Sequence, residues 1–206
     1  MKRTAIVLLV AAAVLALVGA LAFAFTYEAR SRATRYLGFV ALLRINTPND
    51  VVASELHQAG IPIRSLGDCK QDCIMTFHVD DWQLWRLHLA PPVGFNGRLD
   101  FRHGALVYKF TSMGQDIMVW SASVAEGTPP LSTEALQTSR LTGNQDSSGK
   151  LRHVIIDLVP SDFSEFRSKA YAFNVRCIGS LKPCEADEYL PTRELTRLSA
   201  ERADSH

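Results

Sequence analysis

An uncharged apolar run from Ala5 to Phe25, AIVLLVAAAVLALVGALAFAF, constrains this chain more than any other feature. At about 1.5 Å per helical residue it reaches across a hydrocarbon core of about 30 Å. A core helix of that length normally carries a polar face, and this run has none, so residues 1–27 read as a transmembrane segment that enters the membrane through residues 5–25. Lys2 and Arg3 precede it, as in a cleaved signal peptide, and Ala20-Leu21-Ala22 or Ala22-Phe23-Ala24 could serve as a cleavage site. The run exceeds the roughly 7–15 apolar residues of a signal peptide, which favours an uncleaved signal anchor. No cysteine stands at its end, which argues against a lipoprotein. Arg30, Arg32 and Arg35 follow the span about as closely as Lys2 and Arg3 precede it, so positive charge does not orient it.

The cysteines do. Cys69, Cys73, Cys177 and Cys184 form two close pairs and are the chain's only cysteines, which suits two disulfides in an oxidising compartment and an extracytoplasmic domain over residues 28–191. A zinc site made of all four is the alternative, but the spacings are not those of paired CxxC knuckles. Sequence leaves three connectivities open. Local pairs would close short loops, each worth about 2–2.5 kcal/mol of chain entropy.

Beyond the span, Ala33, Tyr36, Leu37, Val40 and Ala41 recur at helical spacing, which predicts a juxtamembrane helix over 29–43. Its early arginines would meet lipid phosphates or a solvated surface. Thr47-Pro48-Asn49-Asp50 predicts a helix start with Thr47 as cap, and Gly60 before Ile61-Pro62 predicts its end. Period-two alternation predicts strands over Ile74–Val79, Leu84–Leu89, Arg98–Arg102, Ala105–Phe110 and Ile117–Val124. Turns are expected at Asp80-Asp81, His103-Gly104 and Met113-Gly114-Gln115. Residues 128–150, rich in Ser, Thr, Gly and Pro, read as an exposed connection with a helical turn near Ser132–Thr138, and Leu151–Val159 as a last strand. Ser161 then caps a helix whose face is Phe163, Phe166, Ala170, Phe173 and Cys177, and residues 192–206 read as a charged, frayed tail. The expected fold class is α+β: an N-terminal transmembrane helix, short helices, an antiparallel meander of five or six strands, and a C-terminal helix packed on the sheet.

Motifs for chemistry are sparse. GxSxG, HExxH, a P-loop and GxGxxG after a strand are all absent. His78, Asp80 and Asp81 are the nameable candidates for a base or a metal site, although a turn explains them as well and alternation would point His78 away from Phe77 and Val79. His88 and His153 fall in expected strands and His103 beside a turn glycine. Trp82 and Trp85 lie three apart with Asp81 and Arg86 adjacent, a composition found at binding surfaces, so they are candidates for partner binding, with core packing as the plainer reading for them and for Trp120. A net charge of +1 and the lack of a basic, aromatic-interleaved stretch speak against nucleic acid. No cofactor is expected.

Three stretches, CIMTFHVDDWQLWRLHLAPP, KAYAFNVRCIGSLKPC and DEYLP, together resemble a family of uncharacterised membrane-anchored (signal-anchor) proteins of soil bacteria, over much of residues 37–191. The resemblance implies an exported domain and carries no functional residues over. INTPNDVVASELHQAGIP is similar to the helical start of small envelope lipoproteins that help assemble outer-membrane proteins. Those begin with a lipid-modified cysteine, which is absent here, and usually have Gly where Asn46 stands. The expectation is therefore an extracytoplasmic module at a bacterial membrane that binds an envelope partner or assists assembly. A small hydrolase or metal-dependent enzyme around His78, Asp80 and Asp81 is the alternative.

Overall fold

The computed structural model describes residues 2–80, 82–86, 88, 90–115, 120–128, 139–160 and 165–203, without the side chains of residues 2, 3, 82, 83, 202 and 203. A single helix, α1 (Lys2–Leu42), joins the apolar run to the expected juxtamembrane helix. Its 41 residues extend about 60 Å. Thr4 to Leu21 are exposed along the whole run, and this stretch is long and apolar enough to cross a membrane. Burial begins at Thr26 and recurs at Ala29, Ala33, Tyr36, Leu37 and Val40, a stripe that packs into the domain.

The domain is α+β, but its sheet is larger than expected and mixed. Seven strands, β1 (Arg64–Gly67), β2 (Asp72–Asp80), β3 (Val93–Arg102), β4 (Ala105–Gln115), β5 (Trp120–Gly127), β6 (Arg140–Gln145) and β7 (Leu151–Leu158), lie in the order β1-β2-β3-β4-β5-β7-β6. β5 and β7 are parallel and the other pairs antiparallel. The polar Arg140–Gln145 segment, expected as connection, forms the exposed edge, while the apolar β7 takes the inner place between two partners. β1 shields the opposite edge.

Of the strand expected over Leu84–Leu89, Leu87 and Leu89 lie outside the described residues and Leu84–Arg86 is helical. β2 already pairs with β1 on one side and with β3 on the other, down to Asp80 opposite Gly94, so the chain between them has no free edge to join. It forms the short helix α3 (Trp82–Arg86) instead, with Leu84 buried, and His88 follows with a φ of 53°. Met113–Gln115 is not a turn either, because β4 runs through Gln115. Residues 116–119 lie outside the described residues, and with them residues 117–119 of the strand expected from Ile117, of which the part from Trp120 belongs to β5. The turn at His103-Gly104 is as expected, with φ of 50° and 73°.

Helix α2 (Asn49–Gln58) buries Val52 and Leu56 and stops at Gly60, where the Ile61 amide donates to the Leu56 carbonyl. Thr47 does not cap it: Pro48 holds the cap position, and the Thr47 hydroxyl donates back to the Arg44 carbonyl. The helix expected to Cys177 ends early, as α4 (Glu165–Ala170), with Ser161 and Phe163 outside the described residues, as is the turn near Ser132–Thr138. Beyond it Asn174 sets a different course: its amide donates to the Tyr189 carbonyl and its side chain caps a 3₁₀ turn at Val175–Cys177. Phe173 and Cys177 stay buried all the same. Helices α5 (Ala186–Tyr189) and α6 (Thr192–Ala203) follow, and the expected tail is thus helical as far as Ala203, pinned by the fully buried Leu195.

The inner face of the sheet is built by alternation. Phe77, Gly97, Thr111, Val124 and Ile156 form one cross-strand row of it. The Tyr36 ring lies flat on Phe77 at 4.6 Å and edge-on to Phe95 at 5.8 Å. Gly97 makes this seat, because a Cβ there would fall inside the Tyr36 ring. Both cysteine pairs are local disulfides, Cys69–Cys73 and Cys177–Cys184.

Candidate functional site

The outer face of the sheet gathers the polar side chains that the same alternation turns away from the core. One row across β2, β3, β4 and β5 is His78, Asn96, Ser112 and Ser123, and the next, ending on β7, is Asp80, Gly94, Gly114, Ser121 and His153. His78 points outward as expected, with Nδ1 at 2.6 Å from Asn96 Oδ1 and Nε2 at 3.1 Å from Asp80 Oδ2. Its side chain is 56% exposed and that of Asp80 46%, so this pair meets bulk water and its attraction is weak. Asp81 lies outside the described residues. Among the described residues no group of three His, Cys, Asp or Glu side chains is placed to hold a metal.

A second imidazole arrangement was not legible in the sequence. His153 Nδ1 is 2.9 Å from Ser121 Oγ, which joins β7 to β5. Only the parallel pairing of two strands separated by β6 brings them together. Along the row the nearest carboxylate is Asp80, four strands away or about 19 Å at ordinary spacing, so the pair has no orienting acid in that row. Gly94 and Gly114 lie between the two histidine groups and leave a shallow floor of small residues.

At one end of this face a cleft of about 330 Å³ is lined by Leu66, Ile74, Arg98, Asp100 and Arg102 among others. Arg98 clamps Asp100 with two hydrogen bonds, at 2.6 and 2.8 Å, and that contact raises the guanidinium's affinity for its proton. Tyr108, opposite Asp100, has its hydroxyl pKa raised by burial and by that carboxylate. A second cleft, of about 430 Å³, lies between β6–β7 and α5–α6, with Asp187 and Arg193 at its wall. Neither cleft includes His78 or Asp80.

Beneath the inner face lies a buried ionic network. Lys109 and Glu126 are direct cross-strand partners on β4 and β5, both sealed from solvent, with Nζ 2.9 Å from Oε2. The ammonium's other two hydrogen bonds go to the carbonyls of Val40 and Leu43, at 3.0 and 2.6 Å. All three donors are thereby used. Arg167 adds an ion pair to Glu126 at 3.2 Å and donates to the Ala41 carbonyl, and the Tyr171 hydroxyl donates to Glu126 at 3.0 Å. The last carbonyls of α1 are thus capped by two cations of the domain, where the helix dipole favours positive charge. Burial pushes the Lys109 ammonium pKa down to about 8 against the pull of Glu126, and burial with Glu126 pushes the Tyr171 hydroxyl well up. The signal for this network was a charged residue at an inward phase of each of two apolar strands, Lys109 in ALVYKF and Glu126 in SASVAEG.

Trp85 is half exposed on α3, so it is not a core residue; the side chain of Trp82 lies outside the described part, and Trp120 is half buried at the start of β5. His88 is exposed beyond α3, and His103 sits in the β3–β4 turn. No family model, no curated protein and no solved structure matches this chain.

Proposed function

We propose that this protein is a membrane-anchored, extracytoplasmic and non-enzymatic module that presents the outer face of its sheet to an envelope partner close to the bilayer. One observation carries the reading: the apolar stretch and the core-packed stripe belong to one uninterrupted helix, whose far end is clamped by Lys109 and Arg167. So stiff a mount suits a module that must hold a binding face at a set height. The two disulfides support an oxidising location for the domain. The outer face supports partner binding: His78, Asp80, Ser121 and His153 spread along rows outside both clefts, and His78 and Asp80, the core of the enzymatic alternative, are solvated. The resemblance to membrane-anchored proteins points the same way.

The test is a photo-crosslinking amino acid placed in the full chain at Ser123 on the outer face, and separately at the exposed Gln58 on α2. In intact cells the first should give a discrete adduct with an envelope component and the second none. Absence of an adduct from the outer face, in chains that fractionate with the membrane, would sink the partner-binding reading.

A further inference from the structure

The apolar run ends at Phe25 and packing against the domain starts at Thr26, so no spacer separates the two. Whatever part of the domain surrounds residues 26–30 must therefore lie at the membrane surface. Arg30 identifies one such part, since its guanidinium donates to the carbonyls of Ile178 and Arg176, both at 2.9 Å. Arg30 is about 7.5 Å along the helix from Phe25. These two bonds place the loop closed by Cys177–Cys184 beside the end of the span. Its outer residues are Leu181, 74% exposed, and the exposed Lys182, and the exposed Arg176 directly precedes it.

The direction of α1 over the sheet identifies a second part. The carbonyls of Val40 and Leu43 lie over Lys109, whose row on β2 is Met75, and Tyr36 lies over Phe77. Moving toward the membrane along α1 thus moves toward Asp80 and the segment that follows it. That segment is α3, which packs against α1 and carries the half-exposed Trp85. A tryptophan, a bare leucine on a disulfide-pinned loop and adjacent cations are the side chains suited to a membrane–water interface, where an indole lies at headgroup level and Lys or Arg meets phosphate.

We propose that this rim is seated in the headgroup layer of the bilayer that carries α1, with Leu181 and Trp85 in the interface and Arg176 and Lys182 on lipid phosphates. The proposal rests on the reading of residues 5–25 as a membrane span. It turns a tethered domain into a docked one, with a fixed tilt of the outer sheet face.

The full chain, reconstituted in phosphatidylcholine vesicles with about 30% phosphatidylglycerol, provides the test. Some of the phosphatidylcholine is brominated near the top of the acyl chains, where it quenches only tryptophans in the interface. Three single-tryptophan chains are compared: Trp82→Phe/Trp120→Phe, which keeps Trp85; the triple Phe variant with Leu181→Trp; and the triple Phe variant with Leu66→Trp, at a position opposite Ile74 toward the other end of β2, the last two at positions exposed enough to accept it. Quenching of Trp85 and of the tryptophan placed at 181 should exceed that of the one placed at 66 by about twofold or more. Equal quenching of all three in chains that float with the vesicles overturns the docked rim and leaves the span intact. A blue-shifted but unquenched Trp85 assigns the rim to a protein contact and overturns it too. Chains that fail to float overturn the span, and the docking with it.

Discussion

Lys109 on β4 donates a 2.6 Å hydrogen bond to the carbonyl of Leu43, just beyond the last residue of α1. The bond ties the middle of the sheet to the end of the helix that carries the apolar run, and it requires a cation in a fully buried place.

That requirement makes stability depend on pH in an unusual direction. The folded pKa of Lys109, about 8, lies below the ordinary 10.5, so between these values the unfolded chain binds the extra proton. Stability then rises with pH, with a slope that approaches about 1.4 kcal/mol per unit. From about pH 10 the buried hydroxyls of Tyr189, raised to about 12, and Tyr36, raised further, act in the opposite sense, because the unfolded tyrosines lose their protons first. Urea unfolding of the detergent-solubilised chain should therefore show a midpoint that climbs between about pH 8 and 10 and then falls. Lys109→Met should abolish the climb; a climb that survives it would assign the effect elsewhere. At pH 7 that variant leaves Glu126 with Arg167 and the Tyr171 hydroxyl and should lose about 3 kcal/mol, part of which Glu126→Gln restores.

Gly97 and Tyr36 should behave as one unit. A methyl group at 97 collides with the Tyr36 ring, which is itself held between Phe77 and Phe95, so Gly97→Ala should cost about 1–3 kcal/mol by overpacking. Tyr36→Leu alone also destabilises, by opening a cavity. In the double variant the losses should fall short of their sum by 1 kcal/mol or so, read from a double-mutant cycle. Additive losses would show that the ring yields freely.

Truncation separates the two halves of α1. Removal of residues 1–25 takes away only exposed apolar surface, and the remaining domain should stay soluble, keep both disulfides and unfold cooperatively. Removal of residues 1–43 strips Ala33, Tyr36, Val40 and Leu43 from the core and frees Lys109 of two acceptors, and it should leave no cooperative transition in urea. A cooperative transition in the shorter form would contradict the view that the helix belongs to the domain.

The sequence by itself determined what depends on near neighbours. Apolar length marked the exposed stretch of α1, close spacing and even number marked the paired cysteines, an apolar run marked β7, period two marked parts of β2, β3, β4 and β5, and the outward direction of His78 followed from the same alternation. Only the tertiary structure decided what depends on distant partners. Leu84–Leu89 alternates like a strand, but β1 and β3 occupy both edges of β2, and Leu84–Arg86 is helical. Arg140–Gln145 reads as linker and becomes a strand because β7 offers it an edge. The clamp on α1 is likewise tertiary: Lys109 lies more than sixty residues from the carbonyls it holds, and no local pattern shows that a charge in an apolar strand has its acceptors waiting.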